Sequence, residues 1–251
     1  GAFCVWATGS NVYMNACSFD GNFITFRYGT TIHIEKAREF CMNNCSINDN
    51  TYTSATQDWQ AAWVNLAEIN DICLSNCSFI GSPRIDQSIS SRNNSIVRFV
   101  DIIGGKHYFV NNIVVTEGAA TCNRAFSNYN TSDNYAYHTK RSDNSASGAG
   151  GTWTMIEKDD EHSIAGSNGF DEEDFGLLSW SIADMCWTWN GAMSGGNNTE
   201  KADAAKAVEY IGKIEGFKAW LEQIGALYKD QLGNPRPETG EWWPGAYQGS
   251  N

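Results

Sequence analysis

The chain has 251 residues, of which 41% are apolar and 18% are charged. Its formal net charge of −12 repels phosphate backbones and anionic lipid, so nucleic acid is not expected as a partner. No run of about 18 apolar residues occurs, so no membrane insertion is expected. The charged fraction lies below the roughly 25% of ordinary globular domains. Asn, Ser, Thr and Gly are plentiful instead, a balance that favours strands and turns over helix bundles.

The opening residues, Gly1 to Trp6, already read as strand, and no signal peptide precedes them. A natural start upstream is therefore expected. From there a pattern returns four times: Val12 to Phe19, Phe40 to Ile47, Ile72 to Phe79 and Tyr108 to Val115. Three copies carry Cys at the same place, at positions 17, 45 and 77, and the fourth carries Ile113. These anchors are 28, 32 and 36 residues apart. Eleven residues upstream of each anchor stand Trp6, Ile34, Leu66 and Ile102. Each repeat reads as strand, short turn, strand, Asn-rich corner, strand. A constant core with growing loops is the mark of stacked coils, in which insertions leave on one side. Asn suits the corners because it tolerates left-handed backbone and can bond its stacked copy. The fold predicted is all-β, a right-handed parallel β-helix.

Eight cysteines in such a chain would ordinarily suggest disulfides. Here Cys17, Cys45 and Cys77 fall in one column, continued by Ile113. Cys41 and Cys73 share another column with Tyr13 and Phe109. Interchange with apolar residues marks them as buried free thiols, and no CxxC spacing suggests zinc.

After Val115 the pattern blurs. Segments 125–129 and 133–137 are placed as a fifth coil, and 152–156 and 184–189 as further strands. Ser142 to Gly151 is Gly-rich loop, and Phe170 to Phe175 an acidic one. Thr199 is positioned to cap a helix from about Glu200 to Gly212, and apolar residues at 214, 217, 221 and 224 continue the helical period. These helices are expected to pack on the coil stack, as an end cap. The chain reads as one domain over 1–251. Regular coils occupy 1–125, irregular coils and loops 126–198, a helical segment 199–228 and a closing tail 229–251.

The tail runs Asp230-Gln231-Leu232-Gly233-Asn234-Pro235-Arg236-Pro237, with Gly245-Ala246-Tyr247 after Trp242-Trp243. It resembles the D-x-x-G-x-x-R-P…G-A-Y segment that closes secreted bacterial β-helix proteins of the pectin-lyase-like superfamily. The resemblance implies a secreted or cell-surface protein that interacts with polysaccharide, as a lyase or glycoside hydrolase. A non-catalytic glycan-binding scaffold is the alternative. It also implies that Ca²⁺ is the cofactor to consider, since lyases of the group use it. A monomer is expected.

Strand alternation turns every second residue outward. With Ile32 and Ile34 inward, His33 and Glu35 face out, followed by Asn65 and Asp101 on later coils. The outward stripe is read as Val5, His33, Asn65 and Asp101. Arg84, Arg92 and Arg98 are the candidate uronate binders and catalytic bases. Tyr28, Trp59 and Trp63 offer faces for sugar rings, and Asp86 adds a polar contact. Glu35 and Asp101 stand two coils apart, about 9–10 Å by layer spacing, a borderline carboxylate pair. No carboxylate cluster suited to a metal ion is recognised.

Overall fold

The structure, a computed structural model, describes residues 3–24, 30–48, 50–52, 62–80, 84–85, 95–100, 105–115, 124–127, 134–137, 140–142, 153–155, 178–181, 186–189 and 201–248. Most of these form strands in parallel sheets, with two short helices near the carboxy terminus. Strands Phe3–Trp6, Thr30–Glu35, Ala62–Ala67, Ser95–Val100 and Arg124–Ser127 build a first sheet in that order. The second sheet takes Asn11–Asn15, Glu39–Asn43, Asp71–Ser75, His107–Val110, Asn134–Tyr137 and Trp153–Met155. The third takes Ser18–Asp20, Ser46–Asn48, Ser78–Ile80, Ile113–Val115 and Lys140–Ser142. A smaller sheet joins residues 23–24, 51–52 and 84–85. Each of the first five passes thus adds one strand to each of the three larger sheets. The region expected to form a fifth coil holds strands at 124–127, 134–137 and 140–142, each paired parallel in one of these sheets, and the strand expected near 153 extends the second sheet. Residues 186–189 instead pair antiparallel with Leu178–Ser181, apart from the main sheets.

The corner between the second and third sheets explains the Asn pattern. Ala16, Asn44, Asn76 and Asn111 take left-handed backbone there, with φ of 53°, 52°, 49° and 55°. Asn is the side chain that bears this conformation at least cost after Gly. The amides then bond from pass to pass. Asn43 Nδ2 donates to Asn15 Oδ1 at 2.9 Å, Asn76 Nδ2 to Asn43 Oδ1 at 2.9 Å and Asn111 Nδ2 to Asn76 Oδ1 at 2.7 Å. Buried amides need such partners, so the ladder fixes register as well as satisfying polarity.

The register corrects three details of the sequence reading. Val5, not Trp6, aligns with Ile34 and Leu66, because the first turn holds one extra residue around Gly9, whose φ is 69°. Phe99, not Ile102, continues that row. In the fourth pass the left-handed corner is Asn111, so His107 aligns with Ile72 and Tyr108, not Phe109, with Cys73. Ile113 then pairs with Ser78, so it lies one place beyond the cysteine column. Asn112 occupies the column position, and its Oδ1 accepts the Cys77 backbone N–H at 2.8 Å.

Two cores result. The space between the sheets is filled by Ile32, Ile34, Val64, Leu66, Phe40, Met42, Leu74, Phe109, Ile47 and Phe79, together with Cys45 and Cys77. The second core lies on the opposite face of the second sheet. There Cys41, Cys73, Tyr108 and Val110 meet the carboxy-terminal segment. Helix α1 (Ala204–Ile211) buries Ala204, Ala207 and Ile211, and helix α2 (Glu215–Gln223) buries Phe217 and Leu221. Tyr13 packs against Phe217 and Trp220, with ring centroids 5.3 and 5.6 Å away. The helices therefore cover the side of the second sheet, which corrects the expectation of an end cap. The face they cover is apolar because the row Tyr13, Cys41, Cys73 and Tyr108, with Val110, lies there. Thr199 lies outside the described residues. Asp203 caps α1 instead, accepting the Lys206 N–H at 2.9 Å. An earlier start is prevented because Ala202–Asp203 pairs as strand with Glu241–Trp242.

The thiols at positions 4, 17, 41, 45, 73 and 77 are free. Cys45 and Cys77 donate to the carbonyls of Asn43 and Ser75, at 3.3 and 3.1 Å. Burial pushes the Cys73 thiol up to about 12 and lifts Cys41 far above its ordinary range, with Cys73 adding to the latter. Thiolate is the reactive form, so these buried groups are inert. Iodoacetamide applied to the native chain should label exposed Cys4 first, while Cys41, Cys45, Cys73 and Cys77 wait for unfolding. Peptide mapping that found Cys41 or Cys73 labelled as fast as Cys4 would contradict this packing.

Candidate functional site

The first sheet carries a row that alternates with the buried Ile32, Ile34, Val64, Leu66 and Val97. Register runs it through Cys4, His33, Asn65, Arg98 and Ser127. His33 and Asn65 thus belong together as expected, but Cys4 replaces Val5 and Arg98 replaces Asp101 in the stripe. The neighbouring row runs Trp6, Glu35, Ala67 and Val100. Asp101 lies outside the described residues, as do Tyr28, Trp59, Asp86 and Arg92. Arg84 sits beside Thr51 in the small sheet, and only the backbone of Arg84 and Arg98 is described. Trp63 is fully buried and donates its indole N–H to the Asn50 carbonyl at 3.2 Å, so it offers no face to a sugar.

Three of the predicted residues form one bonded group. Asn65 Nδ2 donates to His33 Nδ1 at 2.8 Å. With Nδ1 accepting, the imidazole proton sits on Nε2 and points to Glu35 Oε2, 3.3 Å away. His33 and Glu35 are part-exposed, at 25% and 16% of their side-chain surface. Asn65 is buried, and its Oδ1 has no partner among the described residues. The group orients one imidazole at the surface, with Arg98 next in the row. Trp6 marks the end of the strip, 66% exposed, with Lys36 Nζ 5.1 Å from its ring centroid.

A second polar site lies across the corner that follows Glu35. Asn11, Glu39 and Asp71 align at the start of the second sheet, directly ahead of the repeated motif. Glu39 and Asp71 line a groove of about 700 Å³, together with Arg38, Lys106, Lys213 and Glu215. Tyr13 Oη donates to Glu39 Oε2 and receives Asn11 Nδ2 at 2.9 Å. Burial raises the Tyr13 hydroxyl well above its ordinary range, and Glu39 adds to that, so the phenol stays protonated and donating. Asp71 Oδ1 accepts the Lys106 backbone N–H at 2.8 Å. Arg38 Nε bonds Asn11 Oδ1 at 3.0 Å and lies 3.7 Å from Glu39 Oε1. Helix α2 closes the groove at Gly216, where a Cβ would come within 2.8 Å of Tyr13 Oη. Sequence reasoning missed this group because one wall of it arrives from residues 213–216. Its one local signal was the polar residue preceding each apolar strand: Asn11, Glu39, Asp71 and Lys106.

Among the described residues no group of three or more His, Cys, Asp or Glu side chains is placed to hold a metal ion. No helix there is long and apolar enough to cross a membrane. Comparison with protein-family models, curated proteins and solved structures gave no match.

Proposed function

We propose that the chain is a right-handed parallel β-helix of the pectin-lyase-like kind, secreted or held at the cell surface, and that it engages polysaccharide along its first sheet. The observation that carries this reading is the register row Cys4, His33, Asn65, Arg98 and Ser127, in which His33 is part-exposed. One residue per pass, at the strand spacing of about 4.8 Å, makes a straight strip, and a linear polymer is the ligand that follows a strip. Strands that return to the same three sheets on each pass support the helix, and right-handed crossovers are the rule for parallel neighbours. The tail motif supports the superfamily. Trp6, exposed at the end of the strip, supplies an apolar face for a sugar ring.

Within this reading lyase action on an acidic glycan is the active form. Arg98 pairs with the uronate carboxylate, and the oriented imidazole of His33 handles the proton. A polysaccharide panel followed by absorbance of the unsaturated product, with and without added Ca²⁺, tests it. Activity should fall by roughly a hundredfold in His33→Ala and in Arg98→Ala, the scale of a lost acid–base group. Binding without product would select the non-catalytic scaffold instead. That second reading is favoured by one fact: Glu35 is the sole carboxylate on the described part of the two rows.

A further inference from the structure

The groove between the second sheet and helix α2 plays no part in the strip just described, and its composition is specific. Three basic side chains, Arg38, Lys106 and Lys213, share it with three acidic ones, Glu39, Asp71 and Glu215. Several are already engaged. Lys213 Nζ bonds Glu209 Oε1 at 2.9 Å, Arg38 holds Asn11, and Glu39 holds the Tyr13 hydroxyl. Asp71 keeps Oδ2 uncommitted among the described residues, and the Lys106 ammonium makes no ion pair there. A carboxylate accepts about four hydrogen bonds and an ammonium donates three, so acceptors and donors remain available on two residues that line the same groove.

Charge balance then decides the ligand. An anionic ligand would meet three carboxylates, and the net charge of −12 would oppose it further. A cationic ligand would meet three fixed cations. A neutral polyhydroxylated ligand meets neither cost, since every hydroxyl both donates and accepts. The volume of about 700 Å³ lies within the range of small-ligand sites. Resting on the polysaccharide reading above, we propose that this groove is a second glycan site, selective for an uncharged sugar unit, with Asp71 and Lys106 as its specificity-determining pair.

Calorimetric titration of the full chain with uncharged and uronate oligosaccharides of equal length tests it. Lys106→Met and Asp71→Asn serve as groove variants, and His33→Ala as a strip variant. Lys106 is exposed, so its replacement leaves the fold intact even if Asp71→Asn does not. Uncharged oligosaccharide should bind with an affinity that changes less than about twofold between 0.05 and 0.5 M salt. Each groove variant should weaken it by about tenfold, the loss of one charge-assisted hydrogen bond, and His33→Ala should leave it unchanged. Uncharged binding that ignores both groove variants would overturn the groove assignment and leave the polysaccharide reading standing. Steeply salt-dependent binding of uronates alone would overturn the ligand class. No binding of either kind would remove the polysaccharide reading, and this inference with it.

Discussion

Arg236→Ala should cost about 3–5 kcal/mol, the scale on which a buried charge and its partners are separated. Arg236 is 2% exposed and ties the tail to itself. Its Nη1 donates to the Trp243 carbonyl at 3.0 Å and to Gln248 Oε1 at 3.1 Å, and its Nη2 to the Gly245 carbonyl at 2.7 Å. Burial draws the guanidinium down to about 10, while Asp230 works the other way, so it stays charged at neutral pH. Asp230 completes the motif. Its Oδ1 accepts the Leu232 and Asn234 N–H groups at 2.9 and 2.8 Å, and Gly233, with φ of 85°, lets the chain turn between them. Removing the guanidinium takes the Nη2 donor from the Gly245 carbonyl and leaves the Trp243 carbonyl with Asn111 Nδ2, at 2.9 Å. The melting temperature should fall by on the order of 10 °C, and residues 201–248 should exchange amide protons before the sheets do. Arg236→Lys should recover only part of the loss, because an ammonium cannot span three separated acceptors. An unchanged melting temperature in Arg236→Ala would show that the tail docks without this hub.

Asn76→Val is expected to destabilise the chain by a similar amount, about 3–5 kcal/mol, through two separable causes. A β-branched side chain resists the φ of 49° at that corner. The substitution also removes the donor to Asn43 and the acceptor for Asn111, both buried. Asn76→Gly isolates the second cause, because glycine takes the left-handed conformation freely. It should cost about 1–3 kcal/mol. Urea titration of the three proteins gives both terms. If Asn76→Gly is as damaging as Asn76→Val, the hydrogen bonds carry the corner and the backbone preference adds nothing.

The parallel, repeating strand layout was legible in the sequence because two copies of the motif share Cys-x3-Cys around one corner and the first copy keeps the second Cys at Cys17. That spacing leaves a single way to superpose them. The first and fourth copies slipped by one or more places for identifiable reasons. Gly9 sits in a turn one residue longer than the next, and the run from Ile96 to Ile103 is apolar almost throughout, so alternation there sets no phase. The asparagine pair at 111–112 was equally ambiguous, since either residue could have been the left-handed one. Periodicity found the helices but not the surface they cover, because burial of Cys41 and Cys73 beneath α1 and α2 joins elements far apart in sequence. Of the predicted site, alternation and the repeat put His33, Glu35 and Asn65 on one face, but their bonding to one another was not legible in the sequence. The groove was not legible, for its Lys213 and Glu215 are brought to Glu39 and Asp71 only when the carboxy-terminal segment docks.

That docking has a consequence for the order of events during synthesis. Gln231 Nε2 bonds the Cys17 carbonyl at 3.2 Å across 214 positions of chain, and Asn44 Nδ2 bonds the Lys229 carbonyl at 2.6 Å across 185. The early passes can stack on one another as they emerge, but the apolar outer face of the second sheet stays bare until residues 201–248 leave the ribosome. Contacts this distant close slowly, and an uncovered sheet face invites association in the meantime. A nascent chain stalled short of its tail is therefore the form most in need of a chaperone.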